Sequence, residues 1–281
     1  MADYTLPIKE KIAVVFDFDE TLAPPTHLKM LQKTGIDKEE RENFVQGLLE
    51  QGWDKIMARA YSWVKYSQNE NPLIKRQMFQ EIGEELELYE GVDTLFDRLR
   101  SFCPDADIEI KFYLLTAGFV EIPQATSIAH EFESIWGGAY AFDDEGKLSF
   151  VKSILTHEQK REYIQQLAKG TGTQGPSAPA NTHQIVEEEN MHIPFTQIIY
   201  VGDGASDRPA FSLLHEKGGV TIGLVKDGSA TWKEGDELTK SQKVDNLLAV
   251  DYTEGSELMH CLQLAVECIC RRIMLRKVGK A

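Results

Sequence analysis

Two acidic pairs carry the strongest chemical signal. Asp17 and Asp19, in Asp17-Phe18-Asp19-Glu20-Thr21, follow the apolar run Ile12 to Phe16. Asp203 and Asp207, in Gly202-Asp203-Gly204-Ala205-Ser206-Asp207, follow the apolar run Ile198 to Val201. Each pair alone also reads as a solvated turn, the second because its glycines permit a tight one. Both together, at the ends of two strands expected to be parallel, point into one crevice, because open parallel sheets bind ligands beyond the carboxyl ends of their strands. Four converging carboxylates repel one another and raise one another's pKa. A hard divalent cation resolves that repulsion. Magnesium takes oxygen ligands and commonly joins carboxylates to a substrate phosphate, whereas no His/Cys cluster favours zinc.

Two weaker signals accompany them. Thr116-Ala117-Gly118 follows the apolar run Lys111 to Leu115. A hydroxyl and freed N–H groups at a strand-to-helix turn suit an anion, although Thr116 reads equally as a helix cap. Lys160, in His157-Glu158-Gln159-Lys160-Arg161, reads alone as a solvated helix residue, with Lys152 as the rival cation.

These residues need a scaffold. The run Ile12–Phe16 is short, apolar and rich in β-branched residues, as doubly covered strands are, and 111–115, 198–201 and 220–225 read as strands in the same way. Gly91 to Phe102 places Val92, Leu95, Phe96 and Leu99 at helical spacing. Buried strands alternating with amphipathic helices predict an α/β fold with a Rossmann-like parallel sheet and right-handed crossovers. The first connection is about 65 residues longer than a simple strand–helix–strand unit requires. The surplus, residues 24–88, reads as helical throughout: Phe44, Leu48 and Leu49 share one face, and Ile56, Ala60, Trp63 and Val64 another. Pro24-Pro25 stiffens its entry. The expected organisation is core (1–23), inserted helical cap (24–88) and core (89–281). A Gly-, Ser-, Thr- and Pro-rich loop is expected at 170–185. The C-terminal segment ends in Arg271, Arg272, Arg276, Lys277 and Lys280, a basic helix end that complements its dipole.

In order, these motifs resemble the four of the haloacid dehalogenase superfamily: Asp17 and Asp19 the first, Thr116 the second, Lys160 the third, Asp203 with Asp207 the fourth. An insertion directly after the first motif, with Thr-Ala-Gly-Phe after the second strand, looks most like the phosphoserine-phosphatase branch. Leu22 to His27, however, offers no acidic residue to hold a substrate amino group. The resemblance implies two-step phosphoryl transfer. Asp17 would attack phosphorus and form an aspartyl-phosphate. Asp19 would protonate the leaving alkoxide and then deprotonate water. Asp17, Asp203, the backbone carbonyl of Asp19 and a nearby Asp207 would hold magnesium. Thr116, the N–H groups of Phe18 and Ala117, and Lys160 would hold the phosphoryl oxygens. Lys160 would also keep Asp17 ionised. Trp53, Lys55, Arg59 and Tyr61 are the cap residues expected to meet the rest of the substrate.

Composition bounds the alternatives. The chain has 281 residues, 42% hydrophobic and 27% charged, with a net charge of −15. Such a surface repels nucleic acid and anionic membranes, so neither is an expected partner. No apolar run is long enough to cross a bilayer, and the first residues lack a secretory pattern. Cys103, Cys261, Cys268 and Cys270 form no CxxC pair and read as reduced thiols of a cytoplasmic protein. The expected function is a magnesium-dependent phosphatase acting on a small-molecule phosphomonoester. A phosphotransferase or phosphomutase on the same scaffold is the alternative. A non-catalytic binding protein is disfavoured, because all four motifs are intact.

Overall fold

The computed structural model describes residues 8–69, 72–171, 186–187, 190–204, 206–225 and 243–278. Its centre is a seven-stranded sheet: β1 (Lys11–Phe16), β2 (Glu109–Phe119), β3 (Phe132–Phe142), β4 (Leu148–Ser153), β5 (Ile198–Gly202), β6 (Val220–Val225) and β7 (Asn246–Ala249). The order is β4-β3-β2-β1-β5-β6-β7. All neighbours are parallel except the β3–β4 hairpin.

The central strand alternates between two apolar layers, as the period of two requires. Ile12, Val14 and Phe16 pack in one layer with Leu95, Phe96 and Leu99 of α5 (Val92–Ser101) and with Leu262, Val266 and Ile269 of the C-terminal helix. Ala13 and Val15 face the other layer, with Tyr200, with Ile164 and Leu167 of α6 (His157–Lys169), and with Phe211 and Leu214 of α7 (Arg208–Lys217). Both faces of the sheet are therefore covered, and β1 can be an unbroken apolar run. Phe16 registers with Leu114 on one side and Val201 on the other. That register brings the carboxyl ends of β1, β2 and β5 to one edge. Successive strands run outward from β1 in one direction and then, from β5, in the other, which makes that edge the switch point of the sheet.

Residues 24–88 contain four helices: α1 (Thr26–Thr34), α2 (Lys38–Glu50), α3 (Lys55–Gln68) and α4 (Arg76–Glu84). Asp37 and Asp54 cap α2 and α3, accepting N–H bonds from Glu40 and from Ile56 and Met57, which satisfies otherwise orphaned donors. Ala60, Trp63 and Val64 join the same apolar cluster as Phe16 and Leu22. Val45 and Leu48 are buried, and Phe44 and Leu49 pack beside them. The α3–α4 connection is tied to the β3–β4 turn by the Leu148 N–H to Ile74 and the Arg76 N–H to Gly146, each 2.8 Å.

Several features differ from expectation. Strands β3, β4 and β7 had no clear apolar run to announce them; β3 is broken by Gly137-Gly138. The second strand runs past Leu115 to Phe119, so Thr116-Ala117-Gly118 lies in a strand and no helix starts there. Between Leu115 and Phe119 the chain spends four residues where β3 spends two, Trp136 to Gly138. The site segment is thus a β-bulge, which re-aims side chains at a strand end. Gly137 makes room for it: a Cβ there would stand 2.9 Å from Thr116 Cγ2.

The cysteines differ too. Cys103, just after α5, and Cys270, on α8 (Glu257–Val278), are disulfide-bonded, with Cα atoms 5.9 Å apart; Cys261 and Cys268 are free. The packing of α5 against α8 brings together residues 167 apart in sequence, which spacing alone could not foretell. The basic end of α8 also does more than meet its dipole, since Lys277 pairs with Glu10, Asp105 and Asp107. The expected 170–185 loop falls, from residue 172, outside the described residues, as does Lys280. No helix among the described residues is long and apolar enough to cross a membrane.

Candidate active site

Asp17 leaves β1 with its N–H on the Val201 carbonyl at 2.9 Å, so the backbone of β5 fixes where it emerges. Its side chain is buried. Oδ1 accepts the Phe18 N–H at 2.8 Å, and Oδ2 lies 3.0 Å from Lys160 Nζ. The loop then turns sharply: the N–H groups of Thr21, Leu22 and Ala23 all point at the Phe18 carbonyl. Glu20 adopts φ +60, a left-handed conformation costly for a residue with a side chain.

Lys160 is fully buried. Besides Asp17, it donates to Asp207 Oδ1 at 2.6 Å. Its helix begins with a capping box in which Thr156 and Gln159 exchange bonds, and that fixes the turn carrying the lysine. The rival cation, Lys152, is exposed on β4. Asp207 is also fully buried, and its Oδ1 accepts a second donor, the Tyr200 hydroxyl, at 2.6 Å. Its Oδ2 accepts the Gly204 N–H at 3.2 Å. Gly202 permits this approach: a Cβ there would stand 2.6 Å from Asp207 Cγ.

Asp17, Asp203 and Asp207 each offer a carboxylate oxygen, all within 4.8 Å of one another. Burial, then Asp207 and Glu20, push Asp203 up to about 7. Burial also raises Asp17; Lys160 opposes it, while Asp207 and Asp203 add to the rise. Lys160 thus acts on Asp17 in the expected direction, favouring its anion, against burial and two like charges. The lysine itself stays charged: burial works against it, but Asp17 and Asp207 raise its pKa.

Asp19 turns elsewhere. Its Oδ1 accepts the Thr26 N–H at 2.6 Å, and burial raises its pKa. Its Oδ2 lies beside Gly118, where a Cβ would meet it at 3.1 Å. Thr116 is buried, and its Oγ1 accepts the Gly118 N–H at 2.9 Å.

A cavity of about 260 Å³ opens over these groups, lined by Asp17, Asp19, Glu20, Thr116–Gly118, Asp203 and Ser206 from the core, and by Pro25 and His27 from the helical segment. The structure thus brings Asp17, Asp19, Thr116, Ala117 and Asp203 to one cavity, with Asp207 and Lys160 bonded beneath. Phe18 is not among the lining residues: its ring is buried and its N–H is given to Asp17 Oδ1. Of the expected cap contacts, Trp53, Lys55, Arg59 and Tyr61 are absent from the wall. Trp53 pairs with Tyr61 at 4.9 Å, and the Arg59 carbonyl accepts from Arg41.

Glu20, Pro25, His27 and Ser206 of the cavity wall and Tyr200 beside Asp207 fall outside the expected set. His27 ends the segment Leu22 to His27, which offers no acid. Glu20 lay inside the first motif. Tyr200 could have been found as the one hydroxyl in the apolar run Ile198 to Val201.

No protein-family model matches the chain. Pyridoxal phosphate phosphatase PHOSPHO2 of Rattus norvegicus is 21% identical, the match covering 92% of this chain and 99% of the rat protein. Among solved structures, a HAD family hydrolase from Salmonella enterica serovar Typhi superposes with a TM-score of 0.59 at 16% identity, over 93% of this chain and 72% of that one. A phospho-aspartyl intermediate analogue of phosphoserine phosphatase superposes with a TM-score of 0.57 at 17% identity, over 91% and 99%. The chain has the fold of haloacid dehalogenase-type hydrolases.

Proposed function

We propose that this protein is a magnesium-dependent phosphatase that hydrolyses a small phosphomonoester through an aspartyl-phosphate on Asp17. The observation that carries this reading is the separation of two neighbouring carboxyls into two environments. Asp17 is buried against Lys160 beside Asp203, whereas Asp19 is held apart on the Thr26 N–H. A nucleophile and a proton carrier require such a division.

A divalent cation fits the donor set. Asp17 and Asp203 both have raised pKa values in a cluster of three carboxylates, and a hard cation with oxygen ligands relieves that repulsion. Asp17 and Asp203 would hold it with carboxylate oxygens and Asp19 with its backbone carbonyl, Asp207 standing close by. When bound, the ion neutralises charge on the phosphate and on Asp17.

The residues of the chain would then act as follows. Asp17 attacks phosphorus, and the P–O bond to the leaving alcohol breaks. Asp19 gives its proton to the leaving oxygen. It then takes a proton from the water that attacks the aspartyl-phosphate, freeing inorganic phosphate and Asp17. The Thr116 hydroxyl, the Ala117 N–H and Lys160 hold the phosphoryl oxygens, where charge spreads in the transition state, while the Phe18 N–H stays on Asp17 Oδ1. Residues 24–88 would act as a cap, with Pro25 and His27 facing the alcohol portion. The name of the rat relative supports phosphomonoester hydrolysis.

The test is phosphate release from a panel of phosphomonoesters, pyridoxal phosphate included, with magnesium and with chelator. We expect magnesium-dependent release. Full turnover in chelator would overturn the metal role, and no release from any ester would overturn the reading.

A further inference from the structure

A tyrosine in the middle of a central, doubly covered strand needs a partner for its hydroxyl. Tyr200 registers with Val15, two residues before the nucleophile. It is fully buried, and its ring meets Phe211 edge-on at 5.4 Å. Its hydroxyl donates to Asp207 Oδ1 at 2.6 Å. The same oxygen accepts Lys160 Nζ at 2.6 Å, and Lys160 reaches Asp17 Oδ2 at 3.0 Å. The chain of contacts therefore runs Tyr200–Asp207–Lys160–Asp17 through buried side chains.

We infer that Tyr200 is a positioning residue, whose hydroxyl holds Asp207 so that Lys160 remains shared with Asp17 and the phosphoryl site. This rests on the phosphatase reading above. The lysine has three donors. Two are used by Asp207 and Asp17, which leaves one for a phosphoryl oxygen. The two carboxylates compete for the ammonium, and Asp207 already has the shorter contact. The Tyr200 hydroxyl supplies part of the donation that a buried carboxylate oxygen demands. Without it, Asp207 would draw the ammonium further from Asp17. Tyr200 and the Gly204 N–H, on Oδ1 and Oδ2 respectively, also fix the carboxylate plane.

The test replaces the hydroxyl alone. Tyr200→Phe keeps the ring against Phe211. We expect kcat to fall on the order of tenfold, KM to stay within about twofold and the melting temperature to drop by no more than one lost hydrogen bond to a buried carboxylate costs. Tyr200→Met, which also lacks a donor, should give the same kcat loss if the phenylalanine form folds poorly. In an Asp207→Asn background the tyrosine change should cost little more, because residues acting through one another are non-additive. A merely structural tyrosine would lower stability and leave that coupling absent. Wild-type kcat in a folded Tyr200→Phe enzyme, or fully additive losses, would overturn the inference and leave the phosphatase reading intact. A wild type inactive on every ester would overturn both.

Discussion

The Thr26 N–H donates to Asp19 Oδ1 at 2.6 Å, so the first residue of α1 is bonded to the candidate proton carrier. Pro25 precedes this helix and provides no side-chain cap; the carboxylate seven residues back takes that place. Entry to the helical segment and proton transfer are thereby joined in one contact.

Asp19→Asn should keep that contact, since an amide oxygen still accepts, but cannot carry the proton. We expect alkyl phosphate hydrolysis to slow by about 10²–10⁴-fold. Formation of the aspartyl-phosphate from nitrophenyl phosphate should be largely spared, because that leaving group needs no proton. Asp17→Asn should form no aspartyl-phosphate from either ester. Rapid-quench trapping of phosphoenzyme separates the cases. Equal loss on good and poor leaving groups would leave Asp19 a helix cap only.

Lys160 sits between Asp17 and Asp207 with no exposure. Lys160→Met strands two buried carboxylates, and breaking a buried ion cluster from one side costs about 3–5 kcal/mol. The variant should melt well below wild type and release no phosphate. Lys152→Met, on an exposed position of β4, should match wild type in both assays. Full activity in Lys160→Met would remove the lysine from the site.

In metal-free protein, the folded-state pKa of Asp203 is about 7, against about 3.9 for an unfolded aspartate. Between those values the folded chain holds a proton that the unfolded chain has lost. Stability therefore falls as pH rises through that window, and the full penalty stands above the folded pKa. With chelator, the protein should melt higher at pH 5.5 than at pH 8. Magnesium should raise the melting temperature more at pH 8, where the carboxylates are ionised. Asp203→Asn should weaken both dependences, with Asp17 and Asp19, also raised by burial, carrying the remainder. An unchanged pH profile in that variant would show that the effect arises elsewhere.

The legible parts of this fold were those fixed by local pattern. Ile12 to Phe16 reads as a buried strand because it is short, apolar and β-branched and stops at a turn, and Val220 to Val225 reads the same way despite Thr221 and Gly223. The bulge at Thr116–Gly118 was not legible, because it depends on Gly137 of a neighbouring strand making room. The Cys103–Cys270 bond was hidden for a similar reason: it reports the docking of α5 on α8. Lys160 was distinguishable from Lys152 only through the resemblance, because the depth of a lysine on an amphipathic helix is set by the tertiary packing around it.

The last prediction concerns choice of substrate. The phosphate would be held by groups common to every monoester, so selectivity must come from the wall facing the alcohol. Pro25 and His27 are the members of the 24–88 segment in that wall. Partial burial and then the cations Arg41, Arg59 and Lys38 lower the His27 pKa, which favours the neutral imidazole, able to accept one hydrogen bond and donate another. It should favour alcohols that carry a hydroxyl or a ring nitrogen near the ester. His27→Leu should reorder preference across the ester panel and change kcat/KM for such alcohols by tenfold or so, about what one lost hydrogen bond costs. Acetyl phosphate, with little to touch the wall, should change far less. Lys55→Ala, exposed at the start of α3 and outside the cavity lining, should leave the order unchanged. If His27→Leu lowers every ester by one common factor, the helical segment is a lid and not a selector. If Lys55→Ala reorders the panel, the selecting wall extends beyond the cavity described here.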